Sequence, residues 1–183
     1  MGKKHDCVGS VVFRKWLQYP PDFGLGCLVE SIVDSDVREA GLRLLRGMDY
    51  SGFAEVEFKR DGKTNELKLI EINPRPWDQH SLATRCGVNL SHAAYLDALG
   101  LKIPEYQYKN GGYWIASENL VRRIVNDVTS GRKVDLHLLW RVITGKKHYS
   151  LFSIYDPVPG LIGLFILIKD ILSWIGRKLF RLR

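Results

Sequence analysis

The chain has 183 residues, 45% hydrophobic and 26% charged, a globular composition that sets aside disorder and fibrous repeats. A chain this long buries a core without staples, and its three cysteines (Cys7, Cys27, Cys86) form no CxxC pair, which argues against a disulfide scaffold or zinc site. The formal charge is +7, but the last fifteen residues hold Lys169, Arg177, Lys178, Arg181 and Arg183 against Asp170 alone, so a diffusely basic nucleic-acid binder is not expected.

Met1-Gly2-Lys3-Lys4 leads into His5 and Asp6 and not into an apolar leader, so no signal peptide is expected. The longest apolar stretch, Val158 to Ile168, is about half of the roughly twenty residues that span a bilayer. The expected location is the cytoplasm.

Cys7 to Arg14 and Cys27 to Val33 have the β-branched content of strands, with a loop from Gln18 to Gly24 carrying Pro20 and Pro21 between them. A helix is predicted from about Asp36, with Glu39 completing a capping box. Its apolar positions Val37, Ala40, Gly41, Leu44, Leu45 and Met48 fall on one face. Two alternating runs, Gly52 to Lys59 and Glu66 to Asn73, joined by a polar turn containing Gly62, predict an antiparallel hairpin ended by Pro74 and Pro76. Helices are expected at 81–86 and 89–99, closed by Gly87 and Gly100, and a short strand at 113–116. Further helices are expected at 118–129 and 135–144, closed by Gly131 and Gly145. Beyond Asp156-Pro157-Val158-Pro159 a last helix runs toward the C-terminus. The predicted class is α+β, an antiparallel sheet flanked by helices, with a domain over 1–156 and a basic amphipathic helix over 157–183.

The hairpin carries the chemistry. With side chains alternating by twos, Phe53, Glu55 and Glu57 share one face and Ala54, Val56 and Phe58 the other. On the second strand Leu69, Glu71, Asn73 and Arg75 share a face opposite Ile70 and Ile72. With the apolar face turned to the core, Glu57, Glu71 and Asn73 point together, with Glu55 and Arg75 nearby. Facing carboxylates cost stability unless neutralised. A hard divalent cation with oxygen ligands does this, and so, as a solvated strand face, do counter-ions such as Lys59, Lys68 and Arg75.

Phe-Ala-Glu-Val-Glu-Phe at 53–58 followed by Leu-Ile-Glu-Ile-Asn-Pro-Arg at 69–75 resembles the metal-binding hairpin of the ATP-grasp superfamily, which includes biotin carboxylase, D-alanine–D-alanine ligase and glutathione synthetase. The flanks Gln18-Tyr19-Pro20-Pro21, Val29-Glu30-Ser31, Pro76-Trp77-Asp78-Gln79-His80 and Asp97-Ala98-Leu99-Gly100 resemble its carboxylate–amine ligase branch, to which D-aspartate ligase is similar. The resemblance implies ATP and Mg²⁺ (or Mn²⁺) as cofactors, held by Glu57, Glu71 and Asn73. It implies Arg75 as a catalytic residue beside the transferred phosphoryl group, and His80 as a residue of the substrate pocket, for which a capping or surface role is the alternative. Arg14, near the end of an early strand, is a candidate to bind a substrate carboxylate or phosphate, with a plain surface arginine as the alternative. The implied activity joins a small carboxylate to an amine through an acyl-phosphate.

The resemblance covers only the family's C-terminal half. The lysines and Gly-rich lid of the N-terminal half have no counterpart here, which leaves a truncated or split gene product, or a partner half in another chain, with a homo-oligomer also open. The alternative reading is a non-catalytic binding or assembly module acting through its C-terminal helix.

Weaker patterns carry less. Gly62-Lys63-Thr64 lacks the glycine of a P-loop, since Glu57 sits there, and Gly24-Leu25-Gly26 is too short for a dinucleotide fingerprint. His5, His92, His137 and His148 have no metal-ligand spacing. Trp77 reads as packing. Leu161, Leu164, Phe165, Ile168, Leu172, Ile175 and Leu179, with Trp174, form a helical apolar stripe before a basic end. Such a helix fits an anionic membrane interface, a seat on the other half, or its own domain; the seat on the other half is the expectation.

Overall fold

A computed structural model describes residues 7–180, with side chains through 173. Met1 to Asp6, Arg181 and Arg183, and the side chains of Trp174, Ile175, Arg177, Lys178 and Leu179, all named above from sequence, lie outside the described residues. The class is α+β. In chain order the elements are β1 (Val12–Tyr19), β2 (Leu25–Ile32), α1 (Ser35–Gly47), β3 (Glu55–Arg60), β4 (Leu67–Asn73), α2 (His80–Arg85) and α3 (Leu90–Ala98). There follow β5 (Tyr113–Ile115), α4 (Ser117–Thr129), α5 (Leu136–Thr144), β6 (Lys147–Tyr149) and α6 (Val158–Phe180). One sheet has the order β1-β2-β5-β6; β3 and β4 form a separate antiparallel pair. Two compact units make up the chain, residues 1–14 with 30–112, and residues 15–29 with 113–183.

In the first unit, α1 lays its inner stripe on the hairpin. Gly41 is buried on α1, and a Cβ there would touch the side chains of Val56 and Phe58. The cap lies two residues earlier than the capping-box reading: Asp34 is the N-cap, its carboxylate accepting from the Val37 N–H at 3.1 Å. Leu82, Cys86, Val88 and Ala93 are buried around α2 and α3. Ser31 ties the end of β2 to the segment ahead of β5, its Oγ accepting from the N–H groups of Gly111 and Gly112 at 3.0 and 3.1 Å. Gly87 is left-handed with φ +84, and a Cβ there would sit 2.5 Å from the Gln107 carbonyl oxygen, so the turn after α2 needs glycine.

In the second unit, Leu28, Tyr113, Ile115, Leu138 and Val142 form a core, with Trp16, Leu17 and Leu120 packed against it. That packing explains why β1 lies at Val12–Tyr19 and not at 7–14: Trp16 and Leu17 gain burial as strand residues, and the chain leaves the strand at Pro20. On α4 the half-buried Arg123 and the buried Asp127 pair at 2.6 Å, and Arg123 Nη1 also donates to the Gln18 carbonyl at 2.8 Å. The three-residue strand β6, parallel to β5, is absent from the sequence reading because three residues show no period.

Candidate functional site

The hairpin register sets Glu55 opposite Asn73, Val56 opposite Ile72 and Glu57 opposite Glu71. Cross-strand partners lie on the same face, so the structure brings Glu57, Glu71 and Asn73 together as the alternation predicts. Glu55, expected only nearby, is the hub. Asn73 Nδ2 donates to Glu71 Oε1 at 2.7 Å and to Glu55 Oε2 at 3.3 Å, and Arg75 Nη1 stands 3.9 Å from the same Glu55 oxygen. Burial pushes the Glu55 carboxyl above its ordinary value. Arg75 and the Asn73 hydrogen bond pull it back, and the Glu57 and Glu71 charges push it further up. The register was the signal that identifies Glu55: in an unbulged pair Glu-x-Glu against Glu-x-Asn puts it opposite Asn73.

Beyond Glu57 the register shifts by a bulge, with Phe58 opposite Leu69 and Ile70 left over. Strict alternation put Leu69 on the carboxylate face. The bulge turns it to the other side, where it lines a groove of about 610 Å³ with Phe58, Leu67, Ala40 and Leu44. Ile70, placed on the core face, is 54% exposed. Lys68 is paired with Glu66 at 2.5 Å.

Arg75 is half exposed; its Nη1 donates to the Pro76 carbonyl at 3.1 Å, and its other guanidinium N–H groups have no partner among the described residues. Arg14 lies on β1, exposed. His80 opens α2 with Nδ1 2.9 Å from the Trp77 carbonyl. A carbonyl only accepts, so Nδ1 carries the proton there. Trp77 is buried and meets Phe13 edge-on, as a packing residue does.

Glu57, Glu71 and the Asn73 Oδ1 are oxygen donors of the kind a hard cation selects, although Asn73 turns its Nδ2 and not its oxygen to the carboxylates. Asn73 Oδ1 accepts no hydrogen bond among the described residues. Also among the described residues, no three His, Cys, Asp or Glu side chains are grouped to hold a metal ion by themselves.

The chain is similar to the carbamoyl phosphate synthase large chain of Methanothermobacter thermautotrophicus, at 28% identity over 82 residues. The match takes in 43% of this chain and spans only 8% of that protein. This similarity supports likeness to the ATP-grasp enzymes, of which that synthase is one, and reaches no particular branch. No protein family matches the chain. No solved structure matches it.

Proposed function

We propose that the chain is the metal- and phosphate-binding half of an ATP-dependent carboxylate–amine ligase of ATP-grasp type, from the branch to which D-aspartate ligase is similar. The observation that carries this reading is the pairing of Glu57 with Glu71 on one hairpin face, with Asn73 bridging Glu71 and Glu55. Two carboxylates held face to face are a cost to the apo hairpin that a divalent cation offsets.

Glu57, Glu71 and the Asn73 oxygen would hold Mg²⁺ or Mn²⁺, which would neutralise charge on the ATP phosphates. In the metal-free hairpin Glu55 and Glu71 both accept from Asn73 Nδ2, so the amide would turn over to offer its oxygen to the cation, leaving Glu55 beside Arg75. Arg75 presents its free N–H edge to the phosphoryl group, a planar and permanently charged donor that lysine does not reproduce. Arg14 and His80 bind substrate or phosphate oxygens. A substrate carboxylate attacks the γ-phosphorus, ADP leaves, and the acyl-phosphate that results is opened by an amine to give an amide and inorganic phosphate. Charge neutralisation and positioning supply most of the rate in such transfers.

Calorimetric titration of Mg-ADP into the purified chain, beside Glu71→Ala, tests this. Heat of binding is expected in the parent and none in the variant. A silent titration in both, with circular dichroism showing intact folds, rules against the proposal.

A further inference from the structure

Among the described side chains, through residue 173, α6 is packed along one narrow line. Gly163 and Leu167 are buried, Gly160 is half-buried against Phe152, and Asp170 is ion-paired with Arg122 of α4. The absence of a side chain at Gly163 admits the Glu118 carboxylate, since a Cβ there would collide with it. Away from that line the helix is apolar and open. Leu161, Leu164, Phe165, Ile168 and Leu172, at the spacing of one helical stripe, are 58, 52, 70, 48 and 63% exposed. Ile162 and Ile166, on a different side, are also about half exposed, and Ile154 and Tyr155 just ahead of the helix are almost fully so. Ile175 and Leu179 continue the stripe's spacing in the sequence.

An apolar surface of this breadth is covered in the working protein. A groove on another protein seats one stripe of a helix, whereas a fluid apolar medium covers every open side at once. The charge points the same way. The sequence sets Trp174 at the junction between the apolar run and Arg177, Lys178, Arg181 and Arg183, with no acidic residue after Asp170, whose charge is already matched by Arg122. Apolar run, aromatic, then uncompensated cations is the order that suits acyl chains, the headgroup boundary and anionic headgroups. Among the described residues no helix is long and apolar enough to cross a membrane. We propose that α6 lies in the surface of an anionic phospholipid membrane, its open apolar sides in the acyl boundary and its basic end on the headgroups. This inference is independent of the ligase reading.

The test is co-sedimentation of the full chain with vesicles of phosphatidylcholine alone, and of phosphatidylcholine with phosphatidylserine at roughly three to one. Partition into the anionic vesicles is expected at least tenfold above the neutral ones, falling as salt is raised. Phe165→Glu with Leu172→Glu, both at exposed positions and checked by circular dichroism, should reduce it at least tenfold. Arg177→Ala with Lys178→Ala should weaken it about thirtyfold, at roughly fivefold per cation near a charged bilayer. No partition, equal partition into both vesicles, or variants that pellet like the parent overturn the proposal. So does a dimer in light scattering that Phe165→Glu converts to monomer in a chain without vesicle affinity, which would make a second copy the occupant.

Discussion

Cys27 has no exposed surface and sits beside the Arg123–Asp127 pair. Burial pushes its thiol up to about 11 from the ordinary 9.0, with Arg123 pulling it partway back. The folded state therefore holds this proton after the unfolded chain has released it. The Cys27 contribution is fully present below pH 9 and is lost as pH rises toward about 11, at up to about 1.4 kcal/mol per pH unit. Urea titrations at pH 8 and pH 10 should show the parent losing more stability than Cys27→Ala over that interval; parallel losses would disprove it. At this scale Glu57, Glu71, Asn73 and Arg75 were legible in the sequence, because alternation by twos needs no tertiary information. Leu69 and Ile70 were not. A bulge leaves no periodic trace, and two apolar neighbours read the same whichever one is the extra residue.

Element boundaries moved wherever a tertiary partner outweighed the local pattern. β1 runs on to Tyr19 because Trp16 and Leu17 have a core to join, although Gln18 and Tyr19 read as the start of a loop. α1 begins at Ser35 because the Asp34 carboxylate caps Val37, and Asp34 also lies 3.4 Å from Arg60 of β3. Asp34→Ala should therefore cost about 1 kcal/mol in a denaturant titration from the lost cap. Asp34→Asn, which keeps a capping oxygen and drops the charge, should restore most of it. An alanine variant as stable as the parent would show that the cap contributes nothing. α1 was the most readable element, since its six apolar positions follow a single 3.6-residue period. β6 was unreadable because its three residues become a strand only through pairing with β5.

Across the whole molecule, the run of predicted strands and helices gave the α+β class, which rests on many residues and survives local error. It did not give the chain's division into two units, two of whose three boundaries fall inside β1 and β2, where no glycine- or proline-rich linker marks them. The order β1-β2-β5-β6 was equally hidden. It depends on hydrogen bonds such as Ala116 N–H to the Cys27 carbonyl at 3.0 Å, between residues far apart in sequence. The candidate site fared better than the sheet because it is built within one hairpin, where sequence distance and spatial distance nearly coincide.

The bulge at Ile70 gives β4 a parity of its own. Every other residue of the strand counts as odd or even against β3, and removing one would turn all those beyond it over, sending leucines to water or carboxylates toward α1. Ile70 is outside the count. A chain lacking Ile70 should keep Leu67 and Leu69 on the helix side and Glu71 and Asn73 on the other, and should melt as one cooperative fold. A chain lacking Ile72 should lose the hairpin. Thermal melts of the two deletions side by side check this, and equal damage from both would refute it. The length of this strand is thus free to change by one residue at a single address, three positions before the asparagine.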